Sequence, residues 1–190
     1  IGEQMSEPFR IHFDMDHKQS IAAAREALTG VLPDVDRVID AYPFQLSGGM
    51  AQRVMVAMAT ALNPSVIVAD EPTANLDPAI RQETLERLEA FREAGAAVLL
   101  ITHDFGVVAR LADRVGVMYA GRLLEESDVR TTFRTPKHPY TFGLLQSLPG
   151  LADRGRLTPM RGNPPDLATL PPECPFLPRC NKAVGRCRTE

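Results

Sequence analysis

Two short apolar runs, Val66–Ala69 and Ala97–Ile101, bracket a segment in which Ile80, Leu85, Leu88 and Phe91 recur on a background rich in Arg and Glu. The runs have strand rather than helix length, and their unbroken apolar character is that of buried parallel strands. Pro78–Ala94 between them has helical periodicity and stops at Gly95, which suits a C-cap. Strand, helix, strand at this spacing is the βαβ unit, so the fold class expected is α/β. Each run also ends in reactive side chains, Asp70-Glu71 after the first and Thr102-His103 after the second. Open α/β sheets bind ligands at these carboxyl ends of their strands.

Residues 1–45 read as short helices over 1–12, 20–28 and 34–41, broken near Pro33 and Pro43, with little strand signal. A fourth helix is expected over Met50–Leu62, where Val54, Ala57, Met58 and Ala61 recur, and Ser47-Gly48-Gly49 forms its entry with free backbone N–H groups. Phe105–Ala112 reads as another helix, and Val115–Tyr119 with Leu123–Glu125 as a hairpin around Ala120-Gly121. Beyond Thr132 the chain turns loop-rich: eight of the sixteen prolines lie from Pro149 onward, among three cysteines that give the tail a reason to be ordered.

A net charge of −3 argues against a dedicated nucleic-acid binder, which carries a strongly basic balance. No run approaches the ~20 apolar residues of a membrane span, and no basic segment precedes an apolar core at the start. A soluble, cytoplasmic protein is expected. The chain opens on Ile1 within a helical pattern and reads as a piece of a longer protein.

Two adjacent carboxylates at a strand end call for a cation or a proton. In a nucleotide hydrolase Asp70 binds Mg²⁺ and Glu71 orients or deprotonates the attacking water. His103, at the end of the neighbouring strand, is placed to donate to a phosphate oxygen. Ser47, Gly48 and Gly49 add a hydroxyl and N–H groups at a helix N-terminus, a natural phosphate site. Taken singly, each has a bland reading: a solvated acid pair, a structural histidine, a plain turn.

In this order the segments resemble the ATP-binding subunits of ABC transporters. Leu46-Ser47-Gly48-Gly49-Met50-Ala51-Gln52-Arg53 is similar to the family signature, Val66–Glu71 to Walker B, Thr73-Ala74-Asn75-Leu76-Asp77 to the D-loop and His103 to the switch histidine. The resemblance implies a partial P-loop NTPase core (61–132), a helical subdomain with the signature (1–60) and a loop-rich, Cys-containing C-terminal extension (133–190). It implies two subunits sandwiching two ATP molecules head to tail. Ser47, Gly48, Gly49 and Gln52 then face the ATP of the opposite subunit, Asp70 and Glu71 serve the ATP bound in cis, and Asp77 crosses the interface. Hydrolysis would couple to dimer closure.

Two features depart from the family pattern. Ala51 stands where peptide-importer relatives often carry Arg. No Gly-x-x-x-x-Gly-Lys-Ser/Thr phosphate loop occurs, since Lys18, Lys137 and Lys182 do not follow a glycine, and Gln4 is misplaced for the glutamine loop. The chain as it stands is expected to bind ATP weakly.

Thr135-Pro136-Lys137-His138-Pro139-Tyr140-Thr141 resembles the C-terminal extension of oligopeptide and dipeptide importer ATPases. Read from the residues, it begins a Pro-initiated helix with Phe142, Leu145 and Leu148 on a packing face, and His138 is expected to cap or pack rather than ligate. Cys174, Cys180 and Cys187 suggest metal in a reducing compartment, but three thiolates leave a site one ligand short. By resemblance a [4Fe-4S] cluster is favoured over zinc, with Arg179, Lys182, Arg186 and Arg188 offsetting its charge; unmetallated thiols are the third option.

The function expected is the ATPase subunit of a di-/oligopeptide-type ABC importer, with nickel or opine transport as related options. Its partners would be a second ATPase subunit, membrane permease subunits and, indirectly, a substrate-binding protein, and it would sit peripherally on the inner face of the membrane. The alternatives are a soluble ABC-type ATPase acting on DNA or ribosomes, and a non-catalytic metal-binding regulatory fragment.

Overall fold

A computed structural model describes residues 1–148, 160–170 and 172–188. The chain packs as two units, Ile1–His103 and Asp104–Glu190.

In the first unit α1 (Gly2–Phe13), α2 (His17–Leu28), α3 (Val35–Ile39) and α4 (Gly48–Thr60) form a helical layer. Met5, Ala24, Leu28, Val38, Ile39, Val54 and Ala57 close its core. Helix α2 starts three residues before the expected Ser20. The reason is a capping box: the Gln19 backbone N–H donates to the Asp16 carboxylate at 2.8 Å, and the Asp16 N–H donates back to the Gln19 side chain at 3.0 Å. A Cβ at Gly2 would lie 2.9 Å from the Ile39 backbone oxygen, so α1 and α3 approach closely only because residue 2 has no side chain.

The expected βαβ unit forms. β1 (Val66–Asp70) and β2 (Ala97–Ile101) pair in parallel, Val66 opposite Ala97 and Asp70 opposite Ile101, and α5 (Pro78–Glu93) connects them. The strands are not buried on both faces as expected, however. Val66, Val68, Leu99 and Ile101 are about half exposed or more, and only the alternate positions, Ile67 most completely, turn inward. Sequence runs of this kind require cover on two faces; α5 packs on β2.

The second unit contains α6 (Phe105–Leu111), the antiparallel pair β3 (Arg114–Tyr119) and β4 (Arg122–Asp128), α7 (Val129–Arg134) and α8 (Pro139–Gln146). Ala120 and Gly121 both take positive φ, 49° and 76°, the two-residue turn whose twist matches a hairpin. Strand β4 runs three residues past the expected Glu125, because Glu126 and Asp128 pair with Gly116 and Arg114 across a bulge at Val117/Met118. Helix α7, unanticipated from its polar sequence, starts where the Asp128 side chain accepts the Thr131 N–H. In α8 the buried face is Thr141 and Leu145; Phe142, expected inside, is 47 % exposed and lies under the Lys182 ammonium, 5.3 Å from its ring centre. No helix among the described residues is long and apolar enough to cross a membrane.

Candidate functional site

The two strand ends meet as the sequence suggests. Because Asp70 and Ile101 are register partners, the residues that follow, Glu71 and His103, lie side by side. The Glu71 Oε1 is 2.7 Å from His103 Nδ1 and accepts the His103 backbone N–H at 3.2 Å, while the Glu71 N–H donates to the Ile101 carbonyl at 2.9 Å. Glu71 holds φ at 44°, the left-handed region, directly before Pro72. That backbone costs on the order of 1–3 kcal/mol for a non-glycine residue, and a following proline narrows the choice further. The bonds to Ile101 and His103 are what hold it.

The pairing also determines what His103 can do. A carboxylate only accepts, so the neutral ring carries its proton on Nδ1 toward Glu71, and Nε2 donates only in the imidazolium form. His103 therefore first positions Glu71 and donates to a second oxygen only when protonated. Asp70 stands exposed at the strand end. A single carboxylate suits Mg²⁺, a hard cation that takes the rest of its shell from water and phosphate oxygens.

At the start of α4, Ser47 Oγ accepts the Met50 N–H at 3.3 Å as N-cap, and the first intrahelical bond runs from the Ala51 N–H to the Ser47 carbonyl. The Gly48 and Gly49 N–H groups precede that bond and stand at the positive end of the helix. Gly48 is outside the left-handed region and a Cβ there would meet nothing, so the fold itself does not require glycine at 48. A bare backbone that packing does not demand fits the close approach of an anion. Gly49 differs: a Cβ there would touch the Ile80 side chain at 3.4 Å.

Two of the expected nucleotide contacts are engaged within the chain. The Gln52 side-chain amide donates to the Pro72 carbonyl at 3.2 Å. Asp77 caps α5, its carboxylate accepting the Ala79 and Ile80 N–H groups at 3.0 and 3.1 Å. The sequence reading missed Glu83, which receives Arg53 from α4 at 2.8 Å and Arg87 at 3.2 Å. The Arg53 hydrogen bond holds the Glu83 carboxyl below the usual carboxylate range, against burial that pushes it up. The Glu83–Arg87 spacing was legible as an i, i+4 pair; Arg53, thirty residues away, left no signal.

In the second unit His138 caps α8, as expected, with Nδ1 accepting the Tyr140 N–H at 3.1 Å. Burial pushes its pKa down, partly opposed by the Glu125 carboxylate. Its neutral proton therefore sits on Nε2, 3.9 Å from Cys174 Sγ. Cys174, Cys180 and Cys187 are free, half-buried thiols. Among the described residues no three Cys, His, Asp or Glu side chains gather as a metal site, so the three cysteines as arranged do not fit a cluster. Two of the four expected cations are engaged elsewhere. Arg179 lies over the Tyr119 and Phe176 rings and donates to the Tyr119 hydroxyl at 3.1 Å, and Lys182 covers Phe142.

Residues 3–74 match the family model for the ABC transporter, a P-loop NTPase family, and residues 124–187 match that for the oligopeptide/dipeptide transporter C-terminal region. The chain is 45% identical to the dipeptide transport ATP-binding protein DppD of Bacillus subtilis over 98% of its length and 57% of the relative's. It is 41% identical to the oligopeptide transport ATP-binding protein OppD of Haemophilus influenzae (99% and 59%) and 42% identical to OppD of Salmonella typhimurium (98% and 57%). The chain thus spans a little under three fifths of the length of the curated relatives it matches. With both family models satisfied and these identities running along almost all of its residues, the chain belongs to the ABC transporter ATP-binding proteins whose C-terminal region is of the oligopeptide/dipeptide transporter type.

Proposed function

We propose that the chain is part of the ATP-hydrolysing subunit of an ABC importer for dipeptides or oligopeptides, working with a second ATPase subunit against membrane permease subunits on the inner face of the membrane. The observation that carries the proposal is the Glu71–His103 pair at the ends of adjacent parallel strands. Such a pair fixes one carboxylate oxygen through the histidine and leaves the second as the acceptor for a water's proton.

In this reading Glu71 orients the attacking water and takes its proton, and His103 holds Glu71 in place. Asp70 would hold Mg²⁺, which would supply positive charge against the phosphate oxygens. Ser47, Gly48 and Gly49 bind the terminal phosphate of the nucleotide carried by the partner subunit, through N–H groups aligned by the helix dipole. Each site would then be complete only when two subunits close, and Asp77 approaches the same interface from the start of α5. The peptide substrate is inferred from the names of the relatives and from the match over 124–187. Iron–sulfur ligation is no part of the proposal.

The test is Glu71→Gln in the full-length protein. The amide keeps the shape and loses the base, so turnover should fall about 10²- to 10⁴-fold while ATP binding persists and a closed dimer accumulates. Turnover equal to the parent protein's would sink the assignment.

A further inference from the structure

The hydrogen bond from Gln52 to the Pro72 carbonyl joins two places with no sequence proximity. Gln52 lies four residues into α4, the helix that begins at Ser47-Gly48-Gly49. Pro72 follows Glu71, whose left-handed backbone must be held against its own preference. Glu71 is restrained on its strand side by Ile101 and His103, and on the loop side by the Ala74 N–H, which donates to the Glu71 carbonyl at 3.1 Å. The Gln52 amide reaches that same loop from a different element. Directly beside it, Arg53 fastens α4 to Glu83 of α5. A shift of α4 along its axis therefore pulls on the Pro72 peptide rather than sliding past it.

We propose that Gln52 is a positioning residue: it transmits the seating of the Ser47–Gly49 helix end to Glu71 of the same chain, so that engagement of one ATP by that helix sets the water-directing carboxylate at the other. This rests on the ATPase reading above, in which the helix end and Glu71 serve different nucleotides. The chemistry needed is small. Pro72 has no N–H, so its carbonyl is the one main-chain hydrogen-bonding group this residue offers, and a primary amide is a neutral donor to it.

The experiment compares Gln52→Glu, which keeps the size and loses the donor, with Gln52→Lys, which keeps a donor, in the full-length protein. Amide hydrogen exchange at Glu71, Ala74 and His103 is read without nucleotide, and ATPase rate is read against ATP concentration. In Gln52→Glu exchange at these amides should rise about three- to tenfold, the scale of one lost hydrogen bond. Its kcat should fall about tenfold or more with KM for ATP within about twofold, because only positioning is lost. Gln52→Lys should retain parental values in both readouts. Should Gln52→Glu fail to fold, Gln52→Met takes its place. Unchanged exchange in the donor-less variant overturns the strut, and a raised KM at unchanged kcat means that Gln52 touches nucleotide instead. Failure of Gln52→Lys to restore either readout also overturns the donor assignment. If the parent protein hydrolyses no ATP, the ATPase reading fails while the exchange data still decide whether the strut exists.

Discussion

Glu125 is the residue whose replacement should most disturb the C-terminal region, although it belongs to no catalytic motif. Its side chain is 7 % exposed, and its two oxygens accept the backbone N–H groups of Lys137 at 2.7 Å and His138 at 2.9 Å. It thus pins the Pro136–Pro139 turn, and with it the start of α8, to β4. Hydrogen bonds to a charged acceptor each contribute about 1.5–3 kcal/mol. Glu125→Ala removes both and should cost about 3–6 kcal/mol. Glu125→Gln keeps one acceptor but faces the other N–H with an NH₂, so it should cost about 1–3 kcal/mol, the scale of one orphaned donor. Burial pushes the Glu125 carboxyl up, but the Lys137 and His138 N–H groups that it accepts hold it below its ordinary 4.5. A carboxyl depressed by folding contributes stability that is complete above its unfolded pKa and is lost as pH falls through the folded one. The difference between parent and Glu125→Gln should therefore be full at neutral pH and shrink below about pH 4.5. Urea unfolding measures the totals. Exchange at the Lys137 and His138 amides measures the local effect, about 150-fold faster for a 3 kcal/mol loss. A Glu125→Ala protein within about 0.5 kcal/mol of the parent, with both amides still protected, would refute the reasoning.

Asp77→Ala should destabilise the start of α5 by about 1 kcal/mol, with Asn or Ser recovering most of it, because the loss is that of an N-cap; thermal unfolding checks the order. Arg179→Ala removes the stack over Tyr119 and Phe176 and the bonds to the Tyr119 hydroxyl and the Arg161 carbonyl. It should loosen residues 172–188 from the hairpin and speed protease cleavage there several-fold, whereas Arg179→Lys should recover only part, since the planar stack is lost.

The βαβ unit was legible because apolar runs and helical spacing are local patterns, and the acid pair and His103 could be placed at strand ends without coordinates. Helix starts depended on caps. Asp16-x-x-Gln19 is a readable capping box that starts α2 ahead of the first apolar period, and Ser47 and His138 are readable helix-entry residues. Helix α7 and the polar end of β4 could not be read, since neither Val129–Arg134 nor Glu126–Asp128 carries a periodic apolar face; pairing with Arg114–Gly116 and the Asp128 cap form them. Phe142 departs from its expected packing face for the converse reason: an aromatic residue beside a buried position can lie outward when a cation covers it.

Order along the chain suffices for the α/β class, for the segments that bear Ser47-Gly48-Gly49, the acid pair and His103, and for an ending of the oligopeptide/dipeptide transporter C-terminal type. Those depend on residue type and spacing along one element, where backbone periodicity converts order into geometry. What each reactive group is bonded to follows from packing: His103 holds Glu71, Gln52 holds Pro72 and Arg53 reaches Glu83. Such contacts join residues twenty or more positions apart. No local propensity encodes them, because each depends on how whole elements pack before two side chains can meet.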